Sequence, residues 1–446
     1  MSIARTICLG FIAVILIGTA LLILPFTTAD GSWNDPITAL FTATSAVCVT
    51  GLSVVDTGTH FSFFGQLVIL LLIQVGGLGY MTTNTFLLFL IRKKFDFQQK
   101  VAIQESFDRP FLQGSKNLLV SIVATTVIFE LTGFFLLRPL FADQGNPTWV
   151  ALFHSVSAWN NAGFSLFSNS LMDYKSSLLA NLVIPMLIIF GGLGYQAIFE
   201  IFILIRQKIN ERIGLKNVEA FNFSLNSKIV TNTTVILLIF GTIAFFFTDF
   251  SNPNVFGNLP LQERILGAWF QSVTTRTAGF NTLDLSAMTD AGLFITIAFM
   301  VIGASPSGTG GGLKTTTLRI LINSTISTLQ GKTNVIIYKR RVPVNLILKA
   351  VGVLCASVSL LTIVTALIAI TDPKLGFIQI FFEVCSAFAT VGLSTGITSS
   401  LSALGKLIIV VTMYIGRVGV LIVINTIVQE SRPSAIQYPE ENLLVG

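Results

Sequence analysis

Only 11% of the 446 residues carry a formal charge, two are histidine and four are cysteine. Soluble domains hold about a quarter charged residues, so a chain wetted on every side is excluded. His60 and His154 leave little room for metal or acid–base chemistry. Cys8, Cys48, Cys355 and Cys385 stand in or near apolar runs without paired spacing. They read as buried free thiols rather than a disulfide framework or a metal site. The chain also lacks His-Glu-x-x-His and membrane aspartate pairs, which argues against an intramembrane enzyme. No nucleotide-binding motif occurs.

What fills the chain is apolar: 52% of residues are hydrophobic and the mean hydropathy is +0.80. About 20 consecutive apolar residues cross a bilayer. Eight stretches qualify, near 6–26, 65–91, 117–138, 178–206, 228–248, 290–328 with an interruption, 345–371 and 402–428. The first ends at Leu24-Pro25-Phe26 without a small-residue cleavage site, so it is expected to stay as a helix of the mature protein.

The formal net charge of +6 is explained by topology. Arg92, Lys93, Lys94, Lys100, Arg109 and Lys116 lie between the second and third stretches. Arg206, Lys208, Arg212, Lys216 and Lys228 follow the fourth, and Lys332, Lys339, Arg340, Arg341 and Lys349 follow the sixth. The alternate connections hold only Arg138, Lys175, Arg264, Arg276, Lys374 and Lys406. Positive-inside bias therefore puts both termini and the three basic loops in the cytoplasm of a multi-pass cell-membrane protein. Nucleic acid is not needed to explain the basic charge.

Each outward connection contains a hydroxyl-rich, glycine-broken segment. They are "TSAVCVTGLS" around Gly51, "VSAWNNAGFS" around Gly163, "VTTRTAGFNT" around Gly279 and "AFATVGLSTG" around Gly392. Every glycine is followed by Leu or Phe, and ten residues before it stands an aromatic: Phe41, Phe153, Trp269 or Phe382. The glycines follow one another at intervals of 112, 116 and 113 residues. This internal repeat implies helix, short re-entrant pore helix, glycine-centred strand and helix, four times over. The expected fold is an all-α polytopic membrane protein, with four pseudo-symmetric M1-P-M2 repeats around one central pore. Repeat one spans 1–91, repeat two with its cytoplasmic loop 92–206, repeat three 207–328, repeat four 329–428, and a tail 429–446.

Irregular backbone at membrane depth survives only where protein or a water-filled cavity surrounds it. Carbonyls that no helix satisfies can instead coordinate a cation. Glycine admits the positive φ that turns successive carbonyls toward one axis, and the C-terminal end of each short helix adds a negative dipole. Ordinary extracellular turns would explain one such glycine, but not four at one spacing with matching aromatics.

Through these segments the chain resembles the Trk/Ktr/HKT superfamily of potassium transporters, most nearly its Ktr-type membrane subunits, from the first helix to the tail "YPEENLLVG". The resemblance implies one selectivity filter. Its strands would be Val49, Thr50 and Gly51; Asn161, Ala162 and Gly163; Thr277, Ala278 and Gly279; and Thr390, Val391 and Gly392. Potassium would be the bound ion, with sodium as a conceivable activator. Plant members that favour sodium often carry serine at the first glycine, so Gly51 argues for potassium. Only the fourth strand keeps Thr-Val-Gly, which implies fewer strong carbonyl sites and weaker discrimination. The resemblance further implies a homodimer in membrane lipid, gated by a cytoplasmic ring of nucleotide-binding, KtrA-like regulatory subunits.

The second helix of each repeat carries its own motif. "VGGLGY" at Val75–Tyr80 returns as "FGGLGY" at Phe190–Tyr195, and close helix packing through small residues is the favoured reading. Repeat three instead reads "IGASPSGTGGGLK". Its Gly303, Ala304, Ser305, Pro306, Ser307, Gly308, Thr309, Gly310, Gly311 and Gly312 would break any helix. The resemblance makes this segment the gate beneath the filter. Repeat four reads "IGRVG", with Arg417 where Gly77 and Gly192 stand. A mid-membrane charge costs roughly 2.5–3.5 kcal/mol on insertion scales, so Arg417 is expected to pin the loop through its carbonyls and resist cations. A buried salt bridge is the plainer alternative. Lys314 has no assigned role.

Glu130 is expected to make a buried hydrogen bond in preference to forming an accessory ion site. Glu200 reads as interfacial, and Glu383 falls in the fourth pore helix. Arg276 is expected to brace the third strand. Asp30, Asp35, Asp56 and Asp284 would attract cations if they rim the outer vestibule. Two rival readings stay open: a sodium-conducting or sodium-dependent transporter of the same superfamily, and a non-conducting membrane scaffold.

Overall fold

Four helices, Ile3–Ile23, Ser115–Leu137, Leu225–Thr248 and Val344–Thr371, run for 21 to 28 residues. At 1.5 Å per residue each matches the ~30 Å of a hydrocarbon core. Each is followed by a short helix, Pro36–Val47, Pro147–Trp159, Leu261–Thr274 or Phe377–Ala389, of 12 to 14 residues. At ~20 Å these are too short to cross. Proline opens two of them beside a capping side chain: Asp35 accepts from the Thr38 N–H and Asn146 from the Trp149 N–H. After a glycine-centred strand comes a second helix, Phe63–Leu78, Leu178–Leu193, Asp290–Val301 or Ala403–Val418. A hydroxyl starts all four. Ser62, Ser177, Thr289 and Ser402 accept from the backbone N–H of Gly65, Ala180, Gly292 and Gly405, a cap that contributes about 1 kcal/mol each. The computed structural model describes residues 3–79, 115–213, 222–257 and 259–427.

The four units close on one another in chain order. The second helix of unit one packs against the short helix of unit two, two against three, three against four, and four against one. Each short helix is thereby enclosed. Phe41, Phe153, Phe270 and Phe382 are fully buried, while the first helices expose Leu16, Ile17, Phe135, Phe240, Phe247 and Ile370. An apolar circumference around a packed polar centre is the surface of a protein solvated by lipid.

The structure corrects the continuity expected of the second helices. They stop at Gly79, Gly194 and Gly419, with φ of 81°, 87° and 99°. Glycine tolerates that region, and it ends the helical hydrogen bonding. After Gly194 the chain resumes as Tyr195–Arg212 at an angle of 105° to the preceding helix. In unit three the break widens to 302–314 before Thr315–Leu329 begins. Among the described residues, four helices are long and apolar enough to cross a membrane unaided, and five if the bent pair counts as one span.

Two further expectations are adjusted. Cys8, Cys48 and Cys385 are buried free thiols, but Cys355 is exposed on the fourth long helix. The equivalence of Trp269 to the other aromatics is off by one residue. Trp269 is only partly buried, and Phe270, nine residues before Gly279, is the buried ring. The indole of Trp269 turns to unit two, where it donates to the Asn181 carbonyl at 3.1 Å. Pro185 inside that helix cannot donate to Asn181, so the indole satisfies a carbonyl that would otherwise be orphaned in an apolar setting.

Ile336–Ile337 and Arg340–Arg341 form a two-stranded hairpin with Lys339, Arg340 and Arg341 exposed. It is seated on Leu225–Thr248 through Ile229 and a bond from Asn232 to the Tyr338 hydroxyl. The basic residues Arg92 to Arg109, Lys216, the second half of the 65–91 stretch and the tail 429–446 lie outside the described residues.

Candidate functional site

The short helices end where the glycine strands begin, and the same backbone pattern recurs in each unit. Val49, Asn161, Thr277 and Thr390 take φ of 55°, 57°, 66° and 52°, and Gly51, Gly163, Gly279 and Gly392 take 92°, 69°, 77° and 90°. Left-handed geometry costs a β-branched residue about 1–3 kcal/mol, so something must hold it. The N–H groups of the residues between do so. Thr50 donates to Ser45 O at 2.8 Å, Ala162 to Ser157 O at 2.8 Å, Ala278 to Thr274 O at 3.0 Å and Val391 to Ser386 O at 2.8 Å. Each N–H is thus turned back to its own helix.

The four strands meet. A Cβ built on Gly51 would lie 2.5 Å from Ala162 O, one on Gly163 2.8 Å from Ala278 O, one on Gly279 2.6 Å from Val391 O, and one on Gly392 2.1 Å from Thr50 O. The carbonyl of each unit therefore presses on the glycine of the unit before it, and the sequence of contacts returns to its start. All twelve residues of the four strands expected from the sequence stand in this ring. Eleven are buried and Gly51 is partly exposed.

The 302–314 segment lies against one end of the ring. Gly303 N–H donates to Leu313 O and Ala304 N–H to Gly311 O, folding it on itself. It reaches unit two through Ser305 N–H to Gly192 O at 3.0 Å and Thr309 N–H to Gly191 O at 3.2 Å. It reaches unit four through Gly311 N–H to Thr390 Oγ1 at 3.1 Å. A Cβ on Gly310 would lie 1.9 Å from Thr277 Oγ1, so the glycines are there because the strands approach so closely. Ser307 has φ 61°, and Thr315 Oγ1 and Ser305 Oγ are 3.1 Å apart. Pro306 and Gly308 pack on Gly194 of unit two, while Gly312 packs on Gly303.

Arg417 ends the last turn of Ala403–Val418. Its guanidinium donates to Thr309 O in the loop and to Gly76 O in unit one. One side chain from unit four thus joins units three and one across the ring. Its hydrogen bonds go to carbonyls rather than to a carboxylate. Lys314, which the sequence left without a role, donates from Nζ to Gly310 O at 2.8 Å. A cation just after a glycine run inside an apolar stretch was the available signal.

The glycines of the second-helix motif do two different things. The first ones pack. A Cβ on Gly76, Gly191 or Gly416 would stand 2.0, 2.0 or 1.9 Å from the carbonyl of Val47, Trp159 or Phe388 at the end of the short helix. The last ones break the helix, which small-residue packing does not anticipate. Arg276 points away from the ring and donates to Thr234 of its own first helix at 3.2 Å. Glu130 accepts from Asn160 Nδ2 at 3.1 Å, a buried hydrogen bond. Glu200 is buried, with Ser224 N–H at 2.9 Å. Asp35, Asp56 and Asp284 cap short helices, and Asp30 accepts from Ser32 in a turn.

The family described as TrkH, cation transport protein, matches residues 6–435. The chain is 37% identical to the Ktr system potassium uptake protein B of Bacillus subtilis, over 99% of this chain and 96% of that one. It is 36% identical to the potassium/sodium uptake protein NtpJ of Enterococcus hirae, over 100% of this chain and 98% of that one. Among solved structures, the potassium transporter TrkH of Vibrio parahaemolyticus superposes with a TM-score of 0.70 at 18% identity, covering 94% of this chain and 85% of that one.

Proposed function

The chain belongs to the TrkH family of cation transport proteins, which are not enzymes, and from that premise we propose that it carries potassium into the cell. The path runs through a filter made by Val49–Gly51, Asn161–Gly163, Thr277–Gly279 and Thr390–Gly392. Four M1-P-M2 repeats surround one central pore in the cell membrane, with both termini in the cytoplasm. The observation that carries this reading is the closed set of contacts between the four glycine strands. Four carbonyl-bearing strands, each pressed on the next, supply what one ion needs in place of its water shell. Residues 303–312 and Arg417 form the gate, because they occupy one end of that ring and bond to carbonyls rather than to a carboxylate. As in a Ktr system, a KtrA-like nucleotide-binding ring docks on the cytoplasmic side, where the exposed Lys339–Arg341 hairpin faces it, and two copies of the chain pair in the membrane. Sodium acts as a second, weaker ion; the name of the Enterococcus hirae relative favours that reading.

Uptake of rubidium and sodium into liposomes holding the full chain tests the filter. Gly392→Ser puts a Cβ 2.1 Å from Thr50 O, so the ring must widen there, and the preference for rubidium over sodium is expected to fall about tenfold or more, as a loss of ~1.4 kcal/mol gives. Unchanged preference in a folded variant would refute a filter at Gly392.

A further inference from the structure

Behind the glycine ring, on the side away from the 302–314 segment, each short helix turns a polar side chain into the protein at one equivalent position. These are Thr42, His154, Gln271 and Glu383, all at most 1% exposed. Thr42, His154 and Glu383 stand nine residues before their glycine and Gln271 eight. Unit three is shorter by one residue here, as Phe270 also shows, so the four positions are equivalent.

Two of the four are built into the same device. Glu383 accepts from the Ser394 hydroxyl at 2.8 Å, and Ser394 Oγ accepts from Gly396 N–H at 2.9 Å. His154 Nε2 meets the Ser165 hydroxyl at 2.9 Å, and Ser165 Oγ accepts from Phe167 N–H at 3.0 Å. Nδ1 of His154 faces the Val150 carbonyl at 2.8 Å; it must donate there, so a neutral ring leaves Nε2 to accept from Ser165. In both units an acceptor on the short helix holds a serine two residues past the filter glycine, and that serine holds an N–H two residues further on. Glu383 also takes the hydroxyl of Thr398. In units one and three the equivalent Thr42 Oγ1 and both Gln271 side-chain atoms have no hydrogen-bond partner. Units two and four are opposite each other in the ring, so the two ties face each other across it.

We infer that Glu383 and His154 are positioning residues which set ion discrimination, by fixing the mouth of the ring at Ser394 and Ser165. A cage of carbonyls selects by its size and stiffness. Hydrogen bonds from a buried acceptor to the chain just past each glycine limit how far two opposing strands relax around a smaller ion. The other two strands lack that tie. This inference rests on the reading of the ring as a filter.

The test uses the purified full chain, with heat denaturation followed in potassium, sodium or choline chloride. A bound ion protects the folded state in proportion to its occupancy, and the readout does not need an open gate. The ratio of apparent sodium to potassium dissociation constants is expected to fall about tenfold in Ser394→Ala and in Glu383→Leu, the size expected for one hydrogen bond to a charged or strongly polar group. The double variant is expected to fall no further than either single one, and Thr42→Val, which removes an unpartnered hydroxyl, is expected to leave the ratio alone. Glu383→Leu carries the greater risk to folding, and if it does not fold, Ser394→Ala decides alone. An unchanged ratio in folded Ser394→Ala, losses that multiply in the double variant, or an equal loss in Thr42→Val would each overturn the inference. Wild-type protein protected equally by both ions would instead overturn the filter reading.

Discussion

Arg417→Ala separates the two ways in which a buried guanidinium can obstruct a cation path. The side chain makes one hydrogen bond to the loop, at Thr309 O, and one to Gly76 O on the other side. Only the first acts on the loop directly, and a hydrogen bond from a charged donor contributes about 1.5–3 kcal/mol. The loop keeps its bonds to Gly191 and Gly192, to Thr390 and to Lys314, so it does not fall away. The displaced equilibrium is worth about tenfold to 150-fold in opening. Rubidium uptake into liposomes is expected to rise by that factor if opening limits flux, with the rubidium-to-sodium ratio almost unchanged, because no atom of the glycine ring has moved. Arg417→Lys keeps the charge but not the planar fork that spans two carbonyls. If bridging is the barrier, lysine behaves like alanine; if charge is the barrier, lysine behaves like the wild type. A changed ion ratio with unchanged flux in Arg417→Ala would refute the gate assignment altogether.

Packing predictions follow from the same geometry. Gly416→Ala places a methyl group 1.9 Å from the Phe388 carbonyl and is expected to cost about 1–3 kcal/mol or more, whereas Gly352→Ala meets nothing within 4 Å and is expected to gain up to about 1 kcal/mol from helix propensity; thermal denaturation in detergent distinguishes them. Phe270→Ala is expected to lose about 3–5 kcal/mol as a fully buried ring, and Trp269→Phe about 1–3 kcal/mol from the orphaned Asn181 carbonyl. A larger loss at Trp269 than at Phe270 would contradict the one-residue shift in unit three.

The features legible in the sequence are those set by a few consecutive residues. A glycine with positive φ, a Ser or Thr before a helix, or a run of glycines and proline that no helix survives needs no distant partner to be recognised. Repetition at nearly constant spacing makes a weak local signal into an architecture. For that reason the four strands, the 303–312 break and the exceptional place of Arg417 are visible in the chain alone. Composition likewise points to a membrane protein.

Closure of the ring is what only the tertiary structure decides. Arg417 and Gly76 are 341 residues apart, and nothing in either neighbourhood names the other. Their contact exists because unit four packs against unit one. The Trp269 indole finds the carbonyl freed by Pro185 for the same reason, through the packing of unit two on unit three. Lys314 turns to Gly310 only once the loop has folded back on itself. The glycines of Val75–Gly79 and Phe190–Tyr195 look alike as small residues, yet the backbone around them makes the first a packing surface and the last a break. His154 and Glu383 look unrelated in sequence and become equivalent once their helices are set into one ring. Local rules act on φ, ψ and capping within a turn or two. Which carbonyl meets which donor across the ring depends on where four helix pairs come to rest against one another.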